Sequence, residues 1–233
     1  MVIDNYNPPI YNTLMISNKN IDTIIKKVKK ETRKYEEPVI ERFNRRANDP
    51  FWVLIGTALS LRTKDETTHK VVENLYKRAK TPFQILKLTH KELLKIVYQT
   101  GFYRVKAANI RTISGIILNK YKGRVPDNIE ELTSLPGVGR KTANLVVTVA
   151  YNKYGICVDT HVHKIFNRWG YVKTKAPDHT EMALRKKLPK KYWKKINYYL
   201  VTFGRNICLS VSPLCTKCPV NKFCPKVGVS KSR

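Results

Sequence analysis

Apolar positions along this chain recur with a helical period and form no convincing series of alternating strands. After Asn20-Ile21-Asp22, residues Ile24, Ile25 and Val28 share one face while Lys26, Lys27, Lys29 and Lys30 lie mostly on the other, which predicts an amphipathic helix. The run FWVLIGTALSL at 51–61 is apolar on all sides and predicts a buried helix. Asp65 is placed as the N-cap of the next helix, in LRTKDETTHKVVENLYKRAK. KELLKIVYQTG predicts a helix that stops at Gly101. VKAANIRTISGIILNKY repeats Ala, Ile and Leu at i, i+3 and i+4, and Asp127 with Glu130 three residues on resembles a capping box. Asp159 opens a helix in DTHVHKIFNRW, and two more are expected at about 178–188 and 191–203. No repeated hairpin dipeptide, low-complexity tract or linker interrupts the series. The pattern predicts an all-α protein of roughly ten short helices. The first 20 residues, rich in Asn, Pro and Tyr, read as an extended arm.

Charge narrows the range of partners. Among 233 residues, 45 Lys and Arg against 17 Asp and Glu give +28 and a pI near 10. Such a surface suits a polyanion, nucleic acid first of all, but reads no base sequence by itself. A solvated, Lys-rich surface is the structural alternative. The longest apolar run, at 51–61, falls short of the ~20 residues needed to span a bilayer. The N-terminus lacks a basic start followed by an apolar stretch, so no signal peptide is read. A cytoplasmic, nucleoid-associated protein without a membrane segment is expected.

The segment SLPGVGRKTAN at 134–144 carries the first candidate chemistry. A nucleotide-binding P-loop needs glycine directly before the lysine and again five positions earlier, and follows a strand. Here Arg140 precedes Lys141, Leu135 stands where the first glycine belongs, and a capped helix comes before it. The remaining reading is helix, tight glycine turn, helix. The glycines permit close backbone approach, and the amides opening the second helix form an anion site for one DNA phosphate. Leu135 and Val138 pack this hairpin from inside.

Lys141 falls in the first turn of that second helix. The positive end of the helix dipole and the surrounding cations disfavour an ammonium there. A neutral amine can form a Schiff base with a carbon at the aldehyde oxidation level, such as the C1′ of a sugar losing its base. Asp159, 18 residues on, reads both as an N-cap and as a carboxylate able to stabilise such a sugar or assist proton movement. His161 and His163 read as helix-surface or DNA-facing residues.

Four of the five cysteines, Cys208, Cys215, Cys218 and Cys224, follow a Cys-x6-Cys-x2-Cys-x5-Cys spacing; Cys157 stands apart in an apolar context. A structural zinc site usually pairs two short knuckles, and only one is present. The unequal loops favour thiolates around a larger object such as a 4Fe–4S cluster, with zinc as the alternative.

Taken together, LPGVGRKTAN, VDTH, LSLRTKD at 59–65, TGFYRVKAANI at 100–110, the Lys–Asp interval and the cysteine tail resemble the endonuclease III family of DNA base-excision glycosylases, over about residues 40–226. The resemblance implies two helical lobes. Residues 43–154 form a six-helix barrel with the helix-hairpin-helix at about 128–150. Residues 1–42 and 155–233 form a second helical domain whose loop 208–224 carries the cluster, with a DNA cleft between the lobes. It implies Lys141 and Asp159 as catalytic residues facing each other, and Cys208, Cys215, Cys218 and Cys224 as ligands of a 4Fe–4S cluster. Leu135, Gly137, Val138, Gly139 and Arg140 are assigned to DNA. Arg62 and Phe102 fall on the wedge positions, where family members often have glutamine and leucine. The implied enzyme is a monomer that excises damaged pyrimidines from double-stranded DNA. It then cleaves the abasic site by β-elimination through a lysine Schiff base. A monofunctional thymine- or adenine-mismatch glycosylase is the alternative enzyme; such enzymes usually lack a lysine at position 141. A non-catalytic hairpin DNA-binding protein is the alternative outside catalysis.

Overall fold

A computed structural model describes residues 16–233, so most of the expected N-terminal arm lies outside the described residues. Where the described chain begins it is already packed. Ile16 is buried, and Asn18 accepts a hydrogen bond from the Tyr171 hydroxyl. The described residues are all-helical, with 12 α-helices, three short 3₁₀ turns and no strand.

Two hydrophobic clusters organise them. The first gathers side chains from Val39 to Cys157. At its centre runs α3 (Pro50–Ser60), whose residues from Phe51 to Leu59 are all buried, after α1 (Ile21–Thr32) and α2 (Val39–Ala47). An all-apolar helix can only be satisfied this way. Around it stand α2, α4 (Asp65–Arg78), α5 (Pro82–Lys87), α6 (His90–Val97), α7 (Tyr103–Asn119), α8 (Ile129–Thr133) and α9 (Arg140–Val149). The second cluster joins Ile16–Val28 with Ile156–Val220, and so packs α1 with α10 (Thr160–Arg168), α11 (Pro177–Lys187) and α12 (Ile196–Asn206). Ile24, Ile25 and Val28 are the buried stripe of α1, as its periodicity predicts.

Local signals explain most boundaries. Asp49 accepts from the Phe51 amide ahead of Pro50, and Thr89 with Glu92 forms a full capping box on α6. Several expectations need correction. The N-cap of α4 is Lys64; Asp65 is its first residue, and its carboxylate pairs with Arg205, 140 positions away. The cap expected from Asp127 and Glu130 falls one residue later, with Asn128 accepting from the Glu131 amide, while Asp127 meets Lys153 at 2.6 Å. α6 ends at Val97 rather than at Gly101. The helix expected from 191 begins at Ile196, because Lys190–Tyr192 forms a 3₁₀ turn first.

Candidate active site

The hairpin is α8, the glycine turn and α9. Leu135 and Val138 are 2% and 5% exposed and point into the first core. They pack the hairpin from inside, as expected, and the Val138 amide donates to the Leu135 carbonyl at 3.1 Å. Gly137 has φ +72°, and a Cβ there would run into the Asn109 side chain of α7, so this position requires glycine. Gly139 is different. It is exposed, its φ of −91° suits any residue, and a Cβ would meet nothing within 4 Å. It precedes α9 without a side-chain cap, leaving open the face from which an anion would approach the first amides.

Arg140, assigned to DNA in the sequence, also has a partner within the protein. Its Nε and Nη2 donate to Glu181 of α11 at 3.1 and 2.7 Å, and Arg185 donates to the same carboxylate at 2.9 Å. Burial works against ionisation of Glu181, but Arg140, Arg185 and Asn144 outweigh it and hold the carboxyl below its usual range. The hairpin is thereby tied, through a buried acid, to α11, which packs in the second hydrophobic cluster.

Lys141, next in sequence, lines a cleft of about 650 Å³ together with Thr160, Arg62, Phe102, Asn109 and Lys106. Thr160 follows Asp159 directly, so α9 and α10 meet at this cleft. Asp159 caps α10 by accepting from the His161 and Val162 amides at 3.0 and 2.9 Å, both on Oδ1, and the cap leaves Oδ2 unused. Between the two elements, the buried Cys157 donates its thiol to the Lys141 carbonyl at 3.5 Å. Burial pushes that thiol up, Lys141 opposes the shift and Asp159 adds to it.

The histidines, read as helix-surface or DNA-facing, are both half-buried. His161 packs against α12 so closely that a Cβ on Gly204 would collide with its ring, and its Nδ1 is buried without a partner. Burial holds its pKa down, although Asp159 works the other way. His163 shares a 2.7 Å hydrogen bond with Thr180.

Two loops form the rim. Arg62 and Phe102 both adopt left-handed backbone, with φ of 51° and 58°. Sequence reasoning missed the residue beneath them. Lys106 is 8% exposed, and Nζ donates to the Leu59 and Leu61 carbonyls and to Thr63 Oγ1 at 2.8, 2.6 and 2.8 Å. Burial pushes its pKa down to about 8. The available signal was its place on an apolar stripe, ahead of Ile110, Ile113 and Ile117 of α7.

α10 ends at Arg168, which joins the site to the cysteine loop. The Arg168 guanidinium donates to Cys208 Sγ at 3.4 Å and to the Leu209 and Ser210 carbonyls at 2.6 and 2.7 Å. Its own carbonyl accepts from the Cys224 thiol at 3.5 Å. Cys208, Cys215, Cys218 and Cys224 line one largely apolar pocket with Trp169 and Phe203. Burial pushes the Cys218 and Cys224 thiols up to about 12 and about 11, and the neighbouring cysteines add to both shifts. Among the described residues, no group of three or more His, Cys, Asp or Glu is gathered tightly enough to hold a single metal ion.

Comparison with known proteins decides the family. Residues 55–190 match the HhH-GPD superfamily base excision DNA repair protein model, over more than half of the chain. The chain belongs to that superfamily. Endonuclease III of Thermotoga maritima is 48% identical over 188 residues, covering 80% of this chain and 88% of that one. A solved non-covalent endonuclease III–DNA complex superposes with a TM-score of 0.81 at 32% identity, covering 91% of this chain and 97% of that one. A thermostable thymine-DNA glycosylase follows at 0.77 and 25% identity, covering 90% and 97%. This HhH-GPD protein is a base excision DNA repair enzyme, a DNA glycosylase with abasic-site lyase activity. Among the described residues no helix is long and apolar enough to cross a membrane.

Proposed function

We propose that this enzyme excises damaged pyrimidines from double-stranded DNA and cleaves the resulting strand by β-elimination, with Lys141 as nucleophile and Asp159 as its carboxylate partner. The observation that carries this reading is the shared cleft: Lys141 lines it beside Thr160, the residue after Asp159, with Arg62 and Phe102 at its rim. Its volume suits one extruded nucleotide. One phosphate docks on the Gly139 face of the hairpin. Arg62 and Phe102 fill the gap left in the stack. The Lys141 amine bonds to C1′ and the base departs with the glycosidic electron pair, taking up a proton. Asp159 stabilises the positive charge that develops on the sugar. Ring opening gives the imine; loss of the C2′ proton then expels the 3′ phosphate.

Two helical lobes, 43–154 and 1–42 with 155–233, are the units proposed to grip the duplex as a monomer. Cys208, Cys215, Cys218 and Cys224 are proposed to hold a 4Fe–4S cluster. The donor set supports this, being four soft sulfurs lining one apolar pocket, two of them hydrogen-bonded to Arg168. In this reading the cluster is structural and fixes the far end of α10, whose near end carries Asp159. Purified protein should be brown and contain iron; a colourless, zinc-loaded protein would refute the cluster.

Borohydride trapping on an abasic-site duplex tests the chemistry. Wild type should form a covalent adduct, and Lys141→Ala should not. An unchanged adduct in the variant would remove Lys141 from its role. The likeness to a thymine-DNA glycosylase supports a second reading, a monofunctional mismatch enzyme. The lysine at 141 speaks against it, and wild type that excises mismatched thymine without trapping would establish it.

A further inference from the structure

Lys106 is buried, yet its three hydrogen bonds go to oxygens that carry no formal charge. Two of these are main-chain carbonyls just where α3 ends, at Leu59 and Leu61. Carbonyls at a helix C-terminus lack intrahelical partners and lie at the negative end of the dipole, so a compact ammonium with three donors suits them. The third acceptor, Thr63 Oγ1, also receives the Gly101 amide at 3.2 Å, which belongs to the other rim loop. Gly101 lies so close that a Cβ there would stand 2.6 Å from the Arg62 carbonyl oxygen. One ammonium therefore ties the loop of Arg62 to the loop of Phe102. Both loops expose a non-glycine residue in left-handed backbone, a conformation that persists only where the surroundings impose it.

We propose that Lys106 is a positioning residue that locks the Arg62 and Phe102 loops into one rigid wedge and thereby sets how efficiently the enzyme opens the base pair. The inference rests on the proposed wedge role of Arg62 and Phe102, and it leaves the chemistry at C1′ to Lys141.

The test separates opening from chemistry. Duplexes carry an oxidised pyrimidine beside 2-aminopurine, whose fluorescence rises when stacking is lost, or a pre-formed abasic site. Lys106→Met, Lys106→Arg and Thr63→Val are compared with wild type. The ratio of base excision to abasic-site elimination should fall about 10- to 100-fold in Lys106→Met, with loss of the fluorescence rise, since small misplacements far from the chemistry can cost that much. Thr63→Val should shift the ratio in the same direction by a smaller factor, and Lys106→Arg should restore part of it. If Lys106→Met does not fold, Thr63→Val decides the matter. Variants that open the pair as wild type does, or that lose both activities in parallel with melting temperature, overturn the inference. A wild type that opens the pair without cutting would instead refute the proposed chemistry, and loss of opening in the variants would still support the wedge.

Discussion

The Arg62 guanidinium lies over the Phe102 ring, 5.2 Å from its centroid, although 40 positions separate them in the chain. Phe102 is 60% exposed, so this cation–π pair stands at the mouth of the cleft instead of inside a core. Phe102→Ala should change folding stability by less than about 0.5 kcal/mol, as exposed substitutions do. Excision from paired DNA should nevertheless slow about tenfold or more, because the extruded base leaves a gap that only an inserted side chain fills. Arg62→Ala should also lose preference for lesions opposite guanine, whose O6 and N7 accept from arginine. Single-turnover rates against the four opposite bases check both; unchanged rates would exclude the wedge.

Gly137 and Gly139 should respond in opposite ways to the same substitution. Gly137→Ala places a Cβ at φ +72° and against Asn109, and should cost roughly 1–2 kcal/mol of stability. Gly139→Ala places its Cβ in open space and should leave the melting temperature nearly unchanged. If a phosphate docks there, DNA affinity should still drop about tenfold, the scale of one hydrogen bond to a charged group. Binding of wild type should fall by about 10³–10⁵ between 50 and 200 mM salt if 6–10 phosphates are contacted. A flat salt response would count against a basic docking face.

Glu181→Gln leaves Arg140 and Arg185 without their buried counter-charge. Breaking such a pair from one side costs roughly 3–5 kcal/mol when both partners are buried; partial exposure of the two arginines lowers the expectation to about 1–3 kcal/mol. Denaturant titration gives the value. Because Arg140 adjoins Lys141, the trapping rate should fall as well. A stable variant with full trapping would show that this link does not hold the hairpin in place.

Glu41 lines a second cleft, of about 330 Å³, with Lys29, Arg33 and Lys195. Burial raises its pKa to about 7; Lys195 opposes the shift and Glu37 adds to it. The unfolded chain releases this proton near 4.5, so the stability associated with the protonated form is complete below that pH and is lost as pH rises to about 7. Because part of the side chain faces the cleft, solvent reduces the effect to about 1–2 kcal/mol. Glu41→Gln should therefore stabilise the protein at pH 8 by about that much and have little effect at pH 4. Equal effects at both pH values would disprove the assignment.

Most helices, the Asp159 cap and the hairpin were legible in the chain because they depend on neighbours within about four residues. The stripe of α1, the buried run of α3 and the Asp159 cap all follow from such local rules. Lys141 and the four cysteines were singled out from short motifs and from the family resemblance those motifs carry. Partners distant in sequence were not. Asp65 looks like a cap but pairs with Arg205, Arg140 finds Glu181 41 positions away, and Lys106 looks like one more surface lysine. By itself the sequence determined an all-helical chain bearing a glycine hairpin, an amine, a carboxylate and four thiols. Only the tertiary structure decided which cations are committed inside the protein and which face the cleft. Folding chooses the partner of a long charged side chain by burial and proximity, and no local pattern carries that information.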